Sequence, residues 1–220
     1  MQANELISSS ITTLHPDDDG EKALELMEDL RVNHLPIVRN SFYLGILSEK
    51  EILSWKKTND LIESHLQELS SPFVLKNQHL FDIIQEIELN SLSIIPVLNE
   101  KQNYLGSITN RKLLYTIAKS TSIQSIGGMI VLQIKENDYY MSEIARIIEN
   151  NNAKILSSYI TSIPENQIIE LTIKLNKTDM KSIVKDFERY DYNIIASYKT
   201  NQDDDNFLDR YESLMRFLNP

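Results

Sequence analysis

Apolar positions fall into two alternating periods along the first half of the chain. Ala23, Leu24, Met27 and Leu30 lie at i, i+1, i+4 and i+7, one face of a helix. A short strand is expected before it over Ile11–Leu14, and His15 to Gly20 reads as a turn rich in breakers and caps. Asp17, Asp18, Asp19 and Glu21 sit at the helix N-terminus, where the dipole favours anions. Two apolar runs follow, Leu35–Val38 and Phe42–Leu47, separated by Asn40-Ser41. They predict a hairpin, and Ser48 then opens a helix carrying Ile52, Leu53 and Trp55. The unit is strand, helix, strand, strand, helix.

A polar connector over 56–70 carries a small apolar patch, Leu61, Ile62, Leu66 and Leu69. The unit then returns. Pro72–Leu75 is the strand, and Leu80, Ile83, Ile84 and Ile87 mark the helix face. Ile94–Leu98 and Tyr104–Ile108 form the hairpin, and Thr109 opens a helix with Leu113, Leu114 and Ile117 facing inward. Pro36 recurs as Pro96, 60 residues on, and Gly45 as Gly106, 61 residues on, with one residue inserted in the turn between. Kept punctuation at a fixed period marks a duplicated structure.

The second half has another pattern. Gly127-Gly128 marks a boundary, and Met129–Ile134 is an apolar strand. Ser142 is expected to cap a helix with Ile144, Ile147 and Ile148 on one face, ended by Asn150 to Asn152. Ile155–Thr161 is a strand and Pro164 to Asn166 a turn. In 168–175, Ile169, Leu171, Ile173 and Leu175 alternate with Glu170, Thr172 and Lys174, a strand with one wet face. Met180, Ile183, Val184 and Phe187 mark a helix over 179–190, and Asn193–Tyr198 closes the order βαββαβ, the ferredoxin-like split unit. Phe207, Leu208, Tyr211, Leu214, Met215 and Leu218 predict a terminal amphipathic helix over 203–220.

Composition narrows the function. The chain has 220 residues, 41% hydrophobic and 25% charged, ordinary for a globular protein. Its net charge of −10 argues against nucleic acid and against anionic lipid as partners. There are no cysteines, so disulfides, thiolate metal sites and a cysteine nucleophile are excluded. No apolar run reaches the ~18 residues of a membrane span, and Met1 to Leu6 does not read as a secretory leader. No nucleophile elbow or phosphate-binding loop occurs. His15, His34, His65 and His79 lack metal-ligand spacing.

The tandem unit resembles a cystathionine-β-synthase-type (CBS) domain pair. The marks are the proline-started strand and the glycine, two apolar residues and Ser/Thr leading into a helix, each occurring twice over about 1–119. Residues 126–200 resemble an ACT domain by order and length. The combination is similar to the stand-alone CBS–ACT proteins known as acetoin-utilisation accessory proteins. The expected fold is therefore mixed α/β: tandem CBS repeats (about 1–56 and 67–119), a ferredoxin-like ACT-type domain and a C-terminal helix.

That resemblance implies a ligand cleft between the repeats for AMP, ADP, ATP or S-adenosylmethionine. Its matching positions are Gly45, Ser48 and Glu51 in the first copy and Gly106, Thr109 and Lys112 in the second. The family's ribose-binding Asp is replaced by Glu51 and Lys112. Ser48-x-x-Glu51 also reads as a capping box. Lys112 cannot accept from ribose hydroxyls, though it suits a phosphate or plain solvent. Pro36, Pro96 and Ile95 would line the cleft with their backbone, Thr12 and Thr13 match the polar first strand, and His34 lies at a cleft rim. The expectation is a non-enzymatic, cytoplasmic, ligand-sensing homodimer acting on an unidentified protein target, with no metal. The alternative is a ligand-free scaffold or a regulatory subunit of a metabolic enzyme.

Overall fold

The computed structural model describes residues 1–8, 10–163 and 167–199. The turn expected at Pro164 to Asn166 and the terminal helix expected over 203–220 lie outside the described residues. The chain divides into two compact units, residues 1–117 and 118–220.

The first unit begins with a short helix, α1 (Ala3–Leu6). Helix α2 (Gly20–Leu30) starts because the Asp19 side chain accepts from Lys22 N–H at 2.9 Å, and it ends where Arg31 turns left-handed. Strands β1 (His34–Arg39) and β2 (Phe42–Ser48) form the hairpin. Asn40 and Ser41 both take positive φ, the two-residue turn that matches the twist of its strands. Ser48 caps α3 (Glu49–Ser54). The connector folds into a 3-10 stretch, Ile62–Glu68, that buries Ile62 completely. The second copy follows as β3 (Val74–Leu75), α4 (Leu80–Leu89), β4 (Ile94–Leu98), β5 (Tyr104–Thr109) and α5 (Asn110–Ser120). Both hairpins carry a bulge at the same place, between Ile37 and Val38 and between Val97 and Leu98.

Three expectations are corrected here. The strand over 11–14 shrinks to one position, Leu14, paired in parallel with Ile37. Leu14 N–H donates to Pro36 O at 2.8 Å and Val38 N–H to Leu14 O at 2.9 Å. The next rung would need an N–H at residue 36, and proline has none. Pro96 truncates β3 in the same way, so the strand expected over 72–75 pairs only from Val74. Leu114, expected inward, is 70% exposed. The buried face of α5 runs through Leu113 and Thr116, and Leu114 lies about 100° away from Leu113 around the helix.

The segment entering each copy packs on the other copy. Ser8 N–H donates to Ser107 O at 2.9 Å on β5, and Ile46 N–H on β2 donates to Ser70 O at 3.0 Å. Ala3 and Leu6 are buried within the same continuous core as both hairpins. Gly106 permits this approach. Its φ of +147° suits glycine, and a Cβ there would collide with the Ile7 side chain. Ser41 O, in the first hairpin, also accepts from Tyr104 N–H at 2.8 Å.

The second unit is β6 (Gly128–Lys135), α6 (Met141–Asn150), β7 (Ile155–Ile163), β8 (Ile168–Leu175), α7 (Lys181–Arg189) and β9 (Asn193–Lys199). Its sheet has the order β7-β8-β6-β9, antiparallel throughout. Ile130, Leu132, Leu171 and Ile173 face Ile144, Ile148 and Phe187 in one core. Ser142 does not cap α6. The helix begins one residue before it, entered from a 3-10 turn over 136–138, and Tyr140 at the cap makes no side-chain bond. Lys174, expected on a wet face, is only 7% exposed and its Nζ donates to Gly127 O at 3.2 Å. Gly127 therefore closes over that end of β8.

Replacing Gly106 by Ala is expected to lower the stability of the first unit by more than ~1 kcal/mol, since the site demands positive φ and close approach. Gly45→Ala, where a Cβ would stand 3.1 Å from Ser70 O, should cost less. Denaturant unfolding of the two variants side by side checks the order.

Candidate functional site

A cavity of about 710 Å³ opens in the first unit where the two copies meet. The first copy supplies Asn33 and His34 from the start of β1, and Ser48, Lys50 and Leu53 from the entry and body of α3; the second supplies Asn90 and Ser91 from the end of α4. A cavity of this size lies within the ~300–1,000 Å³ range of small-molecule sites. Its walls mix neutral polar groups with one exposed Lys50 and one exposed Glu49.

A hydrogen-bonded seam joins the copies at this cavity. Asn33 N–H donates to Ser93 Oγ at 3.0 Å, and Ser93 N–H donates to His34 Nδ1 at 3.2 Å. His34 Nδ1 therefore carries no hydrogen, and the imidazole is neutral with its proton on Nε2. The Ser93 hydroxyl lies 3.0 Å from the same nitrogen. Asn33 Nδ2 donates to Glu49 Oε2 at 3.2 Å, and Glu49 N–H to Asn33 O at 2.9 Å, which ties the seam to α3. Burial holds His34 below the usual imidazole range, and the Glu51 charge offsets part of that.

Ser48 and Glu51 form a complete capping box. Ser48 N–H and Oγ–H both donate to Glu51 Oε2, at 2.7 and 2.6 Å, and Glu51 N–H donates to Ser48 Oγ at 3.1 Å. In the second copy Thr109 Oγ1 accepts from Lys112 N–H at 3.1 Å, so the cap is one-sided.

Of the residues singled out from sequence, His34 and Ser48 line the cavity. Pro36, Ile95 and Pro96 are buried in their strands, Pro36 opposite Ile46 and Pro96 opposite Ser107. Thr12 is exposed and Thr13 half-buried, in the stretch leading to Leu14. Those five, with Glu51, Thr109 and Lys112, lie outside the cavity lining. Sequence reasoning missed Asn33, Ser93, Asn90 and Ser91. A signal existed for two of them: Asn33 and Ser93 stand 60 residues apart, the spacing of Pro36 and Pro96, each polar just before an apolar strand.

Residues 3–57 match the CBS domain family model, so the chain carries a CBS domain at its N-terminal end. The chain is 21% identical over 131 residues to the uncharacterized protein MJ0188 of Methanocaldococcus jannaschii, covering 59% of this chain and 49% of that one. It is 24% identical over 201 residues to the uncharacterized protein MJ1404 of the same organism, covering 84% of this chain and 46% of that one. The chain thus spans about half the length of these relatives. Among solved structures, a CBS domain pair/ACT domain protein from Thermotoga maritima has a TM-score of 0.48 at 13% identity, over 54% of this chain and 98% of that one. CBSX2 in complex with AMP has a TM-score of 0.46 at 16% identity, over 54% and 96%.

The His34 seam makes stability depend on pH. The folded-state pKa lies below the unfolded one, so the unfolded chain binds the proton more readily. The contribution is complete above the ordinary histidine value of ~6.5 and is lost as pH falls from there toward the folded-state value. Denaturant melts at pH 7.5 and pH 5.5 should show the first unit weaker at the lower pH, and His34→Gln should shrink that difference.

Proposed function

We propose that this CBS-domain protein is a regulatory ligand sensor, in which an adenine nucleotide or S-adenosylmethionine binds between the two repeats. Two copies associate with two-fold symmetry, the commonest closed arrangement, and a protein target reads the change in packing. The observation that carries this reading is the junction cavity itself. Its walls come from both copies, and the seam through Asn33, His34 and Ser93 crosses it. A ligand touching both walls favours one packing of the copies by its differential affinity for the two states. The CBS match over 3–57 supports the ligand class.

In this reading His34, Ser48, Asn33 and Lys50 meet the ligand directly. Glu51, Thr109 and Lys112 shape the helix starts beside it, and Thr12, Thr13, Pro36, Ile95 and Pro96 shape the strands that frame it. Residues 1–119 are the sensing module, 126–200 an ACT-like association module, and 203–220 a further contact. Among the described residues no helix is long and apolar enough to cross a membrane, and we place the protein in the cytoplasm, with no catalytic role of its own.

A second reading has one observation in its favour. The only acidic side chain at the family's ribose position, Glu51, is closed on Ser48. That favours a scaffold or regulatory subunit that works without a small molecule.

Thermal melting with ATP, ADP, AMP and S-adenosylmethionine separates the two. A ligand at 100 times its dissociation constant adds ~2.7 kcal/mol, and the first-unit transition should rise by several degrees with at least one of them. If none moves the midpoint at millimolar concentration, nucleotide sensing is wrong and the ligand-free reading stands.

A further inference from the structure

The sheet of the second unit has two faces, and α6 and α7 pack on one of them. On the other face the strand register sets side chains in rows that cross all four strands. One row holds Tyr159, Val131 and Ala196, and the next holds Met129 and Tyr198. The row on the far side of Val131 is polar, Thr161, Glu170, Gln133 and Asn193, and Asn193 Nδ2 donates to Gln133 Oε1 at 3.0 Å. The apolar rows therefore lie at the end of the sheet where β9 hands the chain on at Lys199. Tyr159 on one edge strand is 62% exposed and Tyr198 on the other 55%. The stretch before β6 borders the same band. Ser157 Oγ–H donates to Thr121 O at 2.8 Å and Lys174 Nζ to Gly127 O at 3.2 Å, and between those two anchors Ile123 and Ile126 are exposed. Apolar surface gathered in this way marks a contact site.

The chain carries its own occupant. Residues 200–220 follow Lys199 directly and hold an apolar stripe, Phe207, Tyr211, Leu214 and Leu218. Those four positions fall within about 60° of one another around a helix. Twelve helical residues, 207–218, extend ~18 Å, and three strand spacings from Tyr198 to Tyr159 measure ~14 Å. The eight residues from Lys199 to Phe207 reach up to ~26 Å when extended, so the stripe can be laid across the band from either edge. Charge agrees with this. The ionisable side chains of the two apolar rows and of the β9 end, tyrosines aside, are Lys174 and Lys199, whereas residues 200–220 carry five carboxylates against two arginines. A second copy laid band on band would instead set cations against cations.

We propose that residues 203–220 pack their Phe207, Tyr211, Leu214 and Leu218 stripe across the open sheet face of the same chain, over Val131, Met129, Tyr159 and Tyr198, as a third layer of the second unit. This names the contact of the terminal segment left general in the function proposed above, and it rests on neither the ligand nor the dimer.

The cysteine-free chain makes the test direct. In the full-length protein, Thr172→Cys at the centre of the band is combined with Tyr211→Cys, Leu214→Cys or Leu218→Cys. At least one pair should oxidise to a disulfide within one chain. Lys185→Cys, on the exposed side of α7, combined with the same three should oxidise at least about tenfold more slowly, since a disulfide forms only between adjacent Cβ atoms. Trypsin should cut the unaltered chain slowly at Arg210 and Arg216. Tyr159→Asp should speed those cuts at least about tenfold, because cleavage follows the population of the undocked segment, and Lys185→Asp should leave them unchanged. Phe207→Asp with Leu214→Asp, placed in the segment itself, should speed them equally, and circular dichroism confirms that each variant is folded. Equal oxidation on both faces, a disulfide joining two chains, or cuts as fast in the unaltered chain as in the variants each overturn the proposal. Nucleotide-induced melting of the first unit still reports on ligand sensing independently.

Discussion

Two backbone hydrogen bonds organise the first unit: Ser8 N–H to Ser107 O and Ile46 N–H to Ser70 O. Each joins the segment that enters one copy to the return strand of the other. Two- and three-stranded sheets are too small to be stable alone, and here each is completed by a segment its own copy does not supply. The apolar residues of both copies consequently share one core, from Ala3 and Leu6 to Leu113. At the junction cavity the copies are joined instead through Asn33, His34 and Ser93.

Glycine and proline act as a pair in this arrangement. Pro36 and Pro96 withhold an N–H from their outer neighbours and stop those strands after one or two rungs. Gly45 and Gly106 let the entering segments close on β2 and β5. Duplication preserved this punctuation and let the decoration diverge. Glu51 completes a box where Lys112 leaves a one-sided cap. Gln85 and Asn110 stand at the repeat positions of Glu25 and Glu49, while Glu28 recurs as Glu88. The scaffold is pseudo-symmetric and its surface is not.

The second unit meets a simpler constraint. One face of a four-stranded antiparallel sheet is covered by α6 and α7, and the alternation of Ile169, Leu171, Ile173 and Leu175 was enough to predict which face. Lys174 broke that alternation because Gly127 O comes within reach of its ammonium. A long side chain whose head finds an acceptor can take a position that binary patterning assigns to water.

Local pattern carried far in this sequence. The 60-residue return of the proline, the hairpin turn at Asn40-Ser41, the Ser48–Glu51 box and the βαββαβ order of the second half all rest on contacts within a few residues or on a repeated period, so the sequence alone determined them. What it did not determine depends on partners far away along the chain. Leu114 reads as inward from its apolar character, yet helix rotation against the core turns it out. Asn90 and Ser91 become cavity wall only because the copies meet at Asn33 and Ser93. The exchange of entering segments spans about a hundred residues, from Ser8 to Ser107, and no periodicity records which strand a segment will join. That choice belongs to the shared core, where burial of both copies at once outweighs what either could bury alone.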